Sequence, residues 1–279
     1  EARLKAKGVR TVHFISPSVW AWRAERIKKV HVAVDLMLCV FPFEPALYAK
    51  HGVAATYVGH PLADAIPLYV PHAEARAALR IAQHEQLIAL LPGSRKSEIQ
   101  YIAPRIFAAA QLMHRERPAL RFVLPVVPGL RHAIEPLRRQ HANEVPIELL
   151  DARSHEALAA CDVALVASGT ATLETALFKR PMVICYSMHA LSWQIMKRMK
   201  LQPWVGLPNI LLHETVVPEL IQAHATPEKL AQATLAWLDD PARVDALVKR
   251  FHTLHVQLRR NTAQAATDAI EALLAQAAA

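Results

Sequence analysis

The chain has 279 residues, 53% of them hydrophobic, with a formal net charge of +8. That apolar content can build one or two sizeable cores, but no run approaches the roughly 18 consecutive apolar residues needed to cross a bilayer. The opening EARLKAKGVR is not a basic region followed by an apolar run, so these residues are not expected to be a secretory signal. The positive charge fits either an anionic partner (nucleic acid, a phosphorylated substrate or acidic lipid) or a basic surface with no specific partner.

In chain order, Leu4 to Lys7 reads as the end of a helix stopped at Gly8, and the expectation is that residues precede Glu1. Strands are predicted over Thr11–Ile15, Leu36–Phe41 and Thr56–Val58, with helices over Val19–Val34 and Pro45–His51 between them. Asp64 to His84 carries Pro67, Pro71 and an Ala/Arg-rich helix over Glu74–Arg80, and reads as an interdomain connection. Strands then follow at Leu87–Leu91, Phe122–Val127, Ile147–Leu150, Val163–Ala167 and Met182–Tyr186. They alternate with helices at Glu98–Glu116, Leu130–His141, Ser154–Ala160, Ala171–Phe178 and His189–Lys200. Leu207-Pro208-Asn209 opens an irregular stretch. Three Pro-led helical segments are expected from Pro218, Pro227 and Pro241, the last running from Ala242 to Gln276 with an interruption near Asn261.

This pattern predicts an α/β chain of two tandem Rossmann-like doubly wound units. The first, truncated unit spans 1–70, a linker 71–85 and the second unit 86–240; helices over 241–279 pack back on the first. Nineteen prolines against seven glycines imply short stiff connections rather than one flexible linker. Cys39, Cys161 and Cys185 lie far apart in apolar surroundings without C-x-x-C spacing, which favours reduced, buried thiols.

In such sheets ligands bind beyond the carboxyl ends of the strands. Two of those ends carry anion-binding chemistry. Ser168-Gly169-Thr170 joins a strand to a helix, where unpaired N–H groups meet the positive end of the helix dipole; the tripeptide is either a phosphate seat or an ordinary capped turn. Gly93, Ser94 and Arg95 follow Pro92 at another strand end. There a permissive backbone and a planar guanidinium suit a diphosphate, the alternative being a turn with a solvated Arg. Glu174, one helical turn beyond Thr170, either accepts hydrogen bonds from a vicinal diol such as ribose or faces solvent. His60, between Gly59 and Pro61, reads as a turn residue or as one facing a cleft.

No P-loop, dinucleotide fingerprint or metal-ligand spacing occurs, so neither ATP hydrolysis, NAD, a metal nor another cofactor is expected. The basic residues fall on no nucleic-acid reading motif, so no nucleic acid is expected. Two stretches mix bases with aromatics: Val19–Lys29, with Trp20, Trp22 and Arg23, and His189–Trp204, with Trp193, Lys197, Arg198 and Lys200. Each reads equally as a membrane-surface helix or as an amphipathic helix covering a sheet.

Taken together, SPSVWAWR (Ser16–Arg23), PFE (Pro42–Glu44), VGHPLAD (Val58–Asp64), LLPGSR-x-x-E (Leu90–Glu98), SGTATLE (Ser168–Glu174) and LPN (Leu207–Asn209) resemble the lipid-A-disaccharide synthase family, in order over essentially the whole chain. The resemblance implies a GT-B-type inverting glycosyltransferase. It would transfer 2,3-diacylglucosamine from UDP-2,3-diacylglucosamine to 2,3-diacylglucosamine 1-phosphate, giving the β-1,6-linked disaccharide 1-phosphate and UDP. It also implies that Gly93, Ser94, Arg95, Ser168, Gly169, Thr170, Glu174 and Asn209 bind UDP, with Arg95 stabilising the leaving group. Ser16, Trp20 and His60 would line the acceptor side.

Family members carry about a hundred further residues before this point, holding the general base, which is therefore expected to lie outside this chain. The resemblance further implies a cytoplasmic enzyme held peripherally at the acidic inner-membrane surface of a Gram-negative bacterium, with a homodimer left open. Two alternatives stand beside it: a UDP-N-acetylglucosamine epimerase of the same architecture, and a non-catalytic UDP-sugar-binding module.

Overall fold

The computed structural model describes residues 1–22, 24–199 and 201–278; Arg23 and Lys200, named above within the basic stretches, lie outside the described residues. The chain divides into two compact units, Glu1–Leu68 with Gln194–Pro203 and Thr253–Ala279, and Tyr69–Trp193 with Trp204–His252.

In the first unit, β1 (Val12–Phe14), β2 (Leu36–Cys39) and β3 (Ala55–Tyr57) form a parallel sheet in the order β1-β2-β3. β2 is buried on both faces, as a central parallel strand must be. Its period-two alternation sends Met37 and Cys39 toward Val19, Ile27, Tyr48 and Val53. Leu36 and Leu38 go to the other face, where Ala265, Ala269, Ile270 and Leu273 pack on them from the Thr262–Ala278 helix. Asp64 starts that helix by accepting the N–H groups of Asn261 and Thr262 at 3.0 and 2.7 Å. Asn261, at φ 52°, breaks it from the preceding Pro241–Leu258 helix.

The helix expected over Val19–Val34 is not continuous. It is a turn of α-helix at Val19–Trp22, a 3₁₀ turn at Ala24–Arg26 and a helix at Ile27–Ala33. The β-branched and aromatic residues of this stretch gain little from helix propensity, and burial of Val19, Trp20 and Ile27 decides the path.

The second unit holds a fully parallel sheet in the order β6-β5-β4-β7-β8-β9. Its strands are β4 (Leu87–Leu91), β5 (Arg121–Val126), β6 (Ile147–Asp151), β7 (Val163–Ala167), β8 (Met182–Tyr186) and β9 (Glu219–Ile221). The sequence leaves β4 and then runs outward in both directions, so β4 and β7 flank the topological switch point. Leu91 pairs with Val166 there, which brings the ends of the two strands side by side.

Three expectations need correction. The stretch 71–85 carries its expected helix, at His72–Ala78, but belongs to the second unit rather than lying between units, and the fully buried Arg76 anchors it there. Arg76 donates to the carbonyls of Ala160 and Ala82 at 3.1 and 2.8 Å, to that of Glu85, and to the Asp162 carboxylate. Pro218 leads not a helix but the edge strand β9, where a missing N–H costs nothing in the ladder. Leu207–Leu212 is helical rather than irregular, with Pro208 in its first turn.

Candidate active site

Two loops meet at the switch point. Leu91 ends β4, and Pro92 to Arg95 lead into the Lys96–Glu116 helix; Ala167 ends β7, and Ser168-Gly169 lead into the Thr170–Leu177 helix. Between them lies a pocket of about 420 Å³ lined by Gly93, Ser94, Arg95, Ser168, Gly169, Thr170 and Glu174. Seven residues singled out from the sequence thus share one cavity. Pro125 and Val127 at the end of β5, Ser154 beyond β6, and Glu98 complete its wall.

The Gly93 loop is held from below by Glu98. Gly93 has φ +118°, and a Cβ there would lie 2.7 Å from both Cβ and Oε2 of Glu98. Only glycine fits this approach without displacement. Glu98 Oε2 accepts Ser94 N–H at 2.9 Å, and Arg95 Nη1 donates to Glu98 Oε1 at 2.6 Å. The Arg95 side chain is 77% exposed, so it is free to reach a ligand at the cost of a weak surface pair.

On the opposite wall, Ser168 is committed to the protein. Its N–H donates to Cys185 O at 3.0 Å and its hydroxyl to Val205 O at 2.8 Å. The donors this wall leaves for an anion are therefore the amides of Gly169, Thr170 and Ala171, the first-turn groups a helix cannot pair internally. Glu174, on the same helix face as Thr170, is half-buried, and burial raises its pKa against a smaller opposing effect of His155. A half-buried carboxylate with one open side is a ready acceptor for hydroxyl groups.

Asn209 does not line this pocket. It is fully buried: Nδ2 donates to Val217 O and Glu219 Oε1 at 2.9 and 2.8 Å, and Oδ1 accepts from Val216 N and Val217 N. With all four of its hydrogen-bonding positions used, it is a strut and not a direct ligand.

In the first unit, Ser16 and Trp20 are also internal. Ser16 Oγ is 2.6 Å from Tyr48 Oη, and Trp20 Nε1 donates to Glu44 Oε1 at 3.0 Å. Glu44 is fully buried; its other oxygen accepts Val40 N–H and Phe41 N–H at 3.1 and 3.0 Å. Burial raises its pKa, although these donors pull the other way. Trp20 packs edge-on to Phe41 and Phe43. These residues fix the loops after β1 and β2 rather than line a surface.

His60 caps the Pro61–Ala65 helix, with Nδ1 accepting from Leu62 N at 3.2 Å, and its ring lies against Phe41. Burial pushes its pKa down to about 4, against the opposing charge of Asp64. It is neutral near pH 7 and serves as a cap. Burial also pushes the thiols of Cys161 and Cys185 up to about 12, which makes them inert.

Sequence reasoning missed Glu219, because a carboxylate that pairs with the backbone of Val205 and Gly206, well before it in the chain, leaves no local signature. Among the described residues no group of three or more His, Cys, Asp or Glu could hold a metal ion, and no helix is long and apolar enough to cross a membrane.

The family model described as lipid-A-disaccharide synthetase matches residues 1–272. The chain belongs to this family. The synthase of Albidiferax ferrireducens is 54% identical over 278 residues, covering 98% of this chain and 72% of the relative. That of Verminephrobacter eiseniae is 53% identical over 279 residues, covering 99% and 72%. Membership makes the chain a glycosyltransferase of lipid A biosynthesis.

Solved structures share the fold. The UDP-GlcNAc 2-epimerase of Neisseria meningitidis, bound to UDP-GlcNAc, superposes with a TM-score of 0.65 at 12% identity, covering 97% of this chain and 71% of that one. WaaG, a glycosyltransferase involved in lipopolysaccharide biosynthesis, gives 0.54 at 13%, covering 94% and 79%. At such identities the likeness establishes the GT-B-like α/β architecture and nothing finer.

Proposed function

We propose that the switch-point pocket holds the UDP portion of UDP-2,3-diacylglucosamine, and that the sugar passes to 2,3-diacylglucosamine 1-phosphate. Gly93, Ser94 and Arg95 take one side of the diphosphate, the amides of Gly169 to Ala171 take the other, and Glu174 holds the ribose diol. The acceptor 6-hydroxyl attacks the anomeric carbon in line, with inversion, as the bond to the diphosphate oxygen breaks, and the hydroxyl proton passes to a general base that is none of these residues. Charge builds on that oxygen in the transition state. Arg95 and the helix-end amides are preorganised to meet it, and a donor so placed commonly lowers the barrier by about 3–4 kcal/mol.

The observation that carries this reading is the convergence of two anion seats and a half-buried carboxylate on one pocket, in a chain of this family. The test is thermal unfolding with added UDP. A ligand at a hundred times its Kd stabilises its site by about 2.7 kcal/mol, so the melting temperature rises with UDP concentration. An unchanged melting temperature at millimolar UDP, with the protein folded, refutes the nucleotide site.

The acylated substrates bring the enzyme to a membrane surface. Supporting this, the Ala190–Met199 helix exposes Lys197, Arg198 and Ile195, and Leu201 follows. Binding to anionic liposomes that weakens with salt is expected; absence of binding refutes it.

A further inference from the structure

Val205, Gly206 and Leu207 lie against the β7 anion seat. Ser168 Oγ donates to Val205 O at 2.8 Å. Leu207 N–H donates to Thr172 Oγ1 at 3.2 Å, and that hydroxyl donates to Gly169 O at 2.7 Å. Three residues of the seat's loop and first turn are thus referenced to this short segment.

The segment takes its own position from one side chain. Glu219, the first residue of β9, accepts Val205 N–H on Oε2 at 2.8 Å. Its Oε1 accepts Gly206 N–H at 2.9 Å and Asn209 Nδ2 at 2.8 Å. Gly206 packs closely here: a Cβ would lie 2.2 Å from Ile184 Cδ1 and 3.1 Å from Glu219 Oε1, so both side-chain ends would have to shift to admit one.

The peptide between Val205 and Gly206 is a planar unit, so its carbonyl and its N–H cannot turn independently. Glu219 grips the N–H, and Ser168 is bound to the carbonyl. Fixing one end therefore aims the other.

We propose that Glu219 is a positioning residue for the phosphate seat. It acts through the Val205–Gly206 peptide to hold Ser168, and through Ser168 the Gly169–Ala171 amides, in the orientation that receives the diphosphate. This rests on the reading of the pocket as a UDP site. Glu219 touches no substrate atom in this role, and Asn209 supports it by occupying Oε1 and pinning the segment before β9.

The test compares UDP with uridine, which lacks the phosphates. In Glu219→Gln one carboxylate oxygen becomes an NH₂ that faces an N–H donor in either flip. UDP binding is expected to weaken about tenfold while uridine binding stays within about twofold, the size of one lost charge-assisted hydrogen bond. A purely structural role would lower the melting temperature without changing the ratio of the two affinities. Ser168→Ala breaks the same link at its other end and is expected to show the same selective loss. The double variant should be no worse than the poorer single one.

A folded Glu219→Gln protein with wild-type UDP affinity, or with equal losses for UDP and uridine, overturns the proposal. If that variant does not fold, Ser168→Ala decides the matter: wild-type UDP affinity in it shows that the link transmits nothing. Failure of the wild type itself to bind UDP overturns the site reading and this inference with it, an outcome distinct from normal wild-type binding with unaffected variants.

Discussion

Arg95 donates to Glu98 at 2.6 Å while the second oxygen of Glu98 accepts the Ser94 N–H at 2.9 Å. One carboxylate therefore holds the two donors that a diphosphate would use on this wall. Because the Arg95 side chain is 77% exposed, its pair with Glu98 contributes little to folding. Arg95→Ala is expected to keep the wild-type melting temperature and to reduce turnover by roughly a hundredfold or more. Steady-state kinetics on the acylated substrates check this; near-normal turnover would exclude Arg95 from leaving-group stabilisation.

Glu98 should act with the opposite sign on binding. Its negative charge opposes an incoming phosphate and competes for the same guanidinium. In Glu98→Gln the amide oxygen can still accept Ser94 N–H, while the competing charge is gone. UDP is expected to bind up to about fivefold more tightly, the range of a surface ion pair. Calorimetric titration measures this, and weaker binding would mean that Glu98 orients Arg95 more than it competes for it.

The parts of this arrangement visible in the sequence are those with local signatures. The strand Val163–Ala167, the Ser-Gly-Thr break and the Arg95 loop are short patterns whose chemistry is carried by neighbouring residues. Parallel-sheet topology then brings the two loops together. What could not be read depends on residues far apart in the chain. Asn209 looks like a ligand from its motif, yet its partners are Val216, Val217 and Glu219, which only the fold brings to it. Trp20 and Ser16 look like cleft residues, but Glu44 and Tyr48 draw them inward. Pro218 reads as a helix start because proline favours the first turn, whereas pairing with β8 makes the residues after it an edge strand.

His60 gives the first unit a pH dependence whose sign follows from its burial. Its pKa falls from 6.5 to about 4 on folding, with burial as the main cause. The unfolded chain therefore binds more protons across that window, so the stabilisation is fully present above pH 6.5 and is lost as pH falls toward 4. At Asp64 burial, the largest single effect, raises the pKa, but the helix-capping bonds from Thr262 and Asn261 together with the Arg259 charge outweigh it and leave the pKa lowered, so Asp64 loses its contribution in the same direction at lower pH. His60→Asn keeps an acceptor for Leu62 N–H but does not titrate. Its melting temperature should fall less than that of the wild type between pH 6.5 and 4.5; parallel curves would show that His60 is not the group responsible.

Glu174 is predicted to recognise the ribose through a carboxylate that burial makes easier to protonate. As the ionised form is the better acceptor for two hydroxyls, UDP affinity should rise with pH through the Glu174 pKa and then level off. Removing one ribose hydroxyl isolates the contact. The wild type should prefer UDP over 2′-deoxy-UDP by about tenfold or more, as expected for a hydrogen bond to a charged acceptor. In Glu174→Ala the preference should shrink to within about twofold and the low-pH loss of affinity should disappear, because neither the acceptor nor its proton remains. Titrations of both nucleotides at two pH values measure both effects. A variant that keeps the full preference for the 2′-hydroxyl would place the ribose elsewhere in the pocket, away from the carboxylate one turn beyond Thr170.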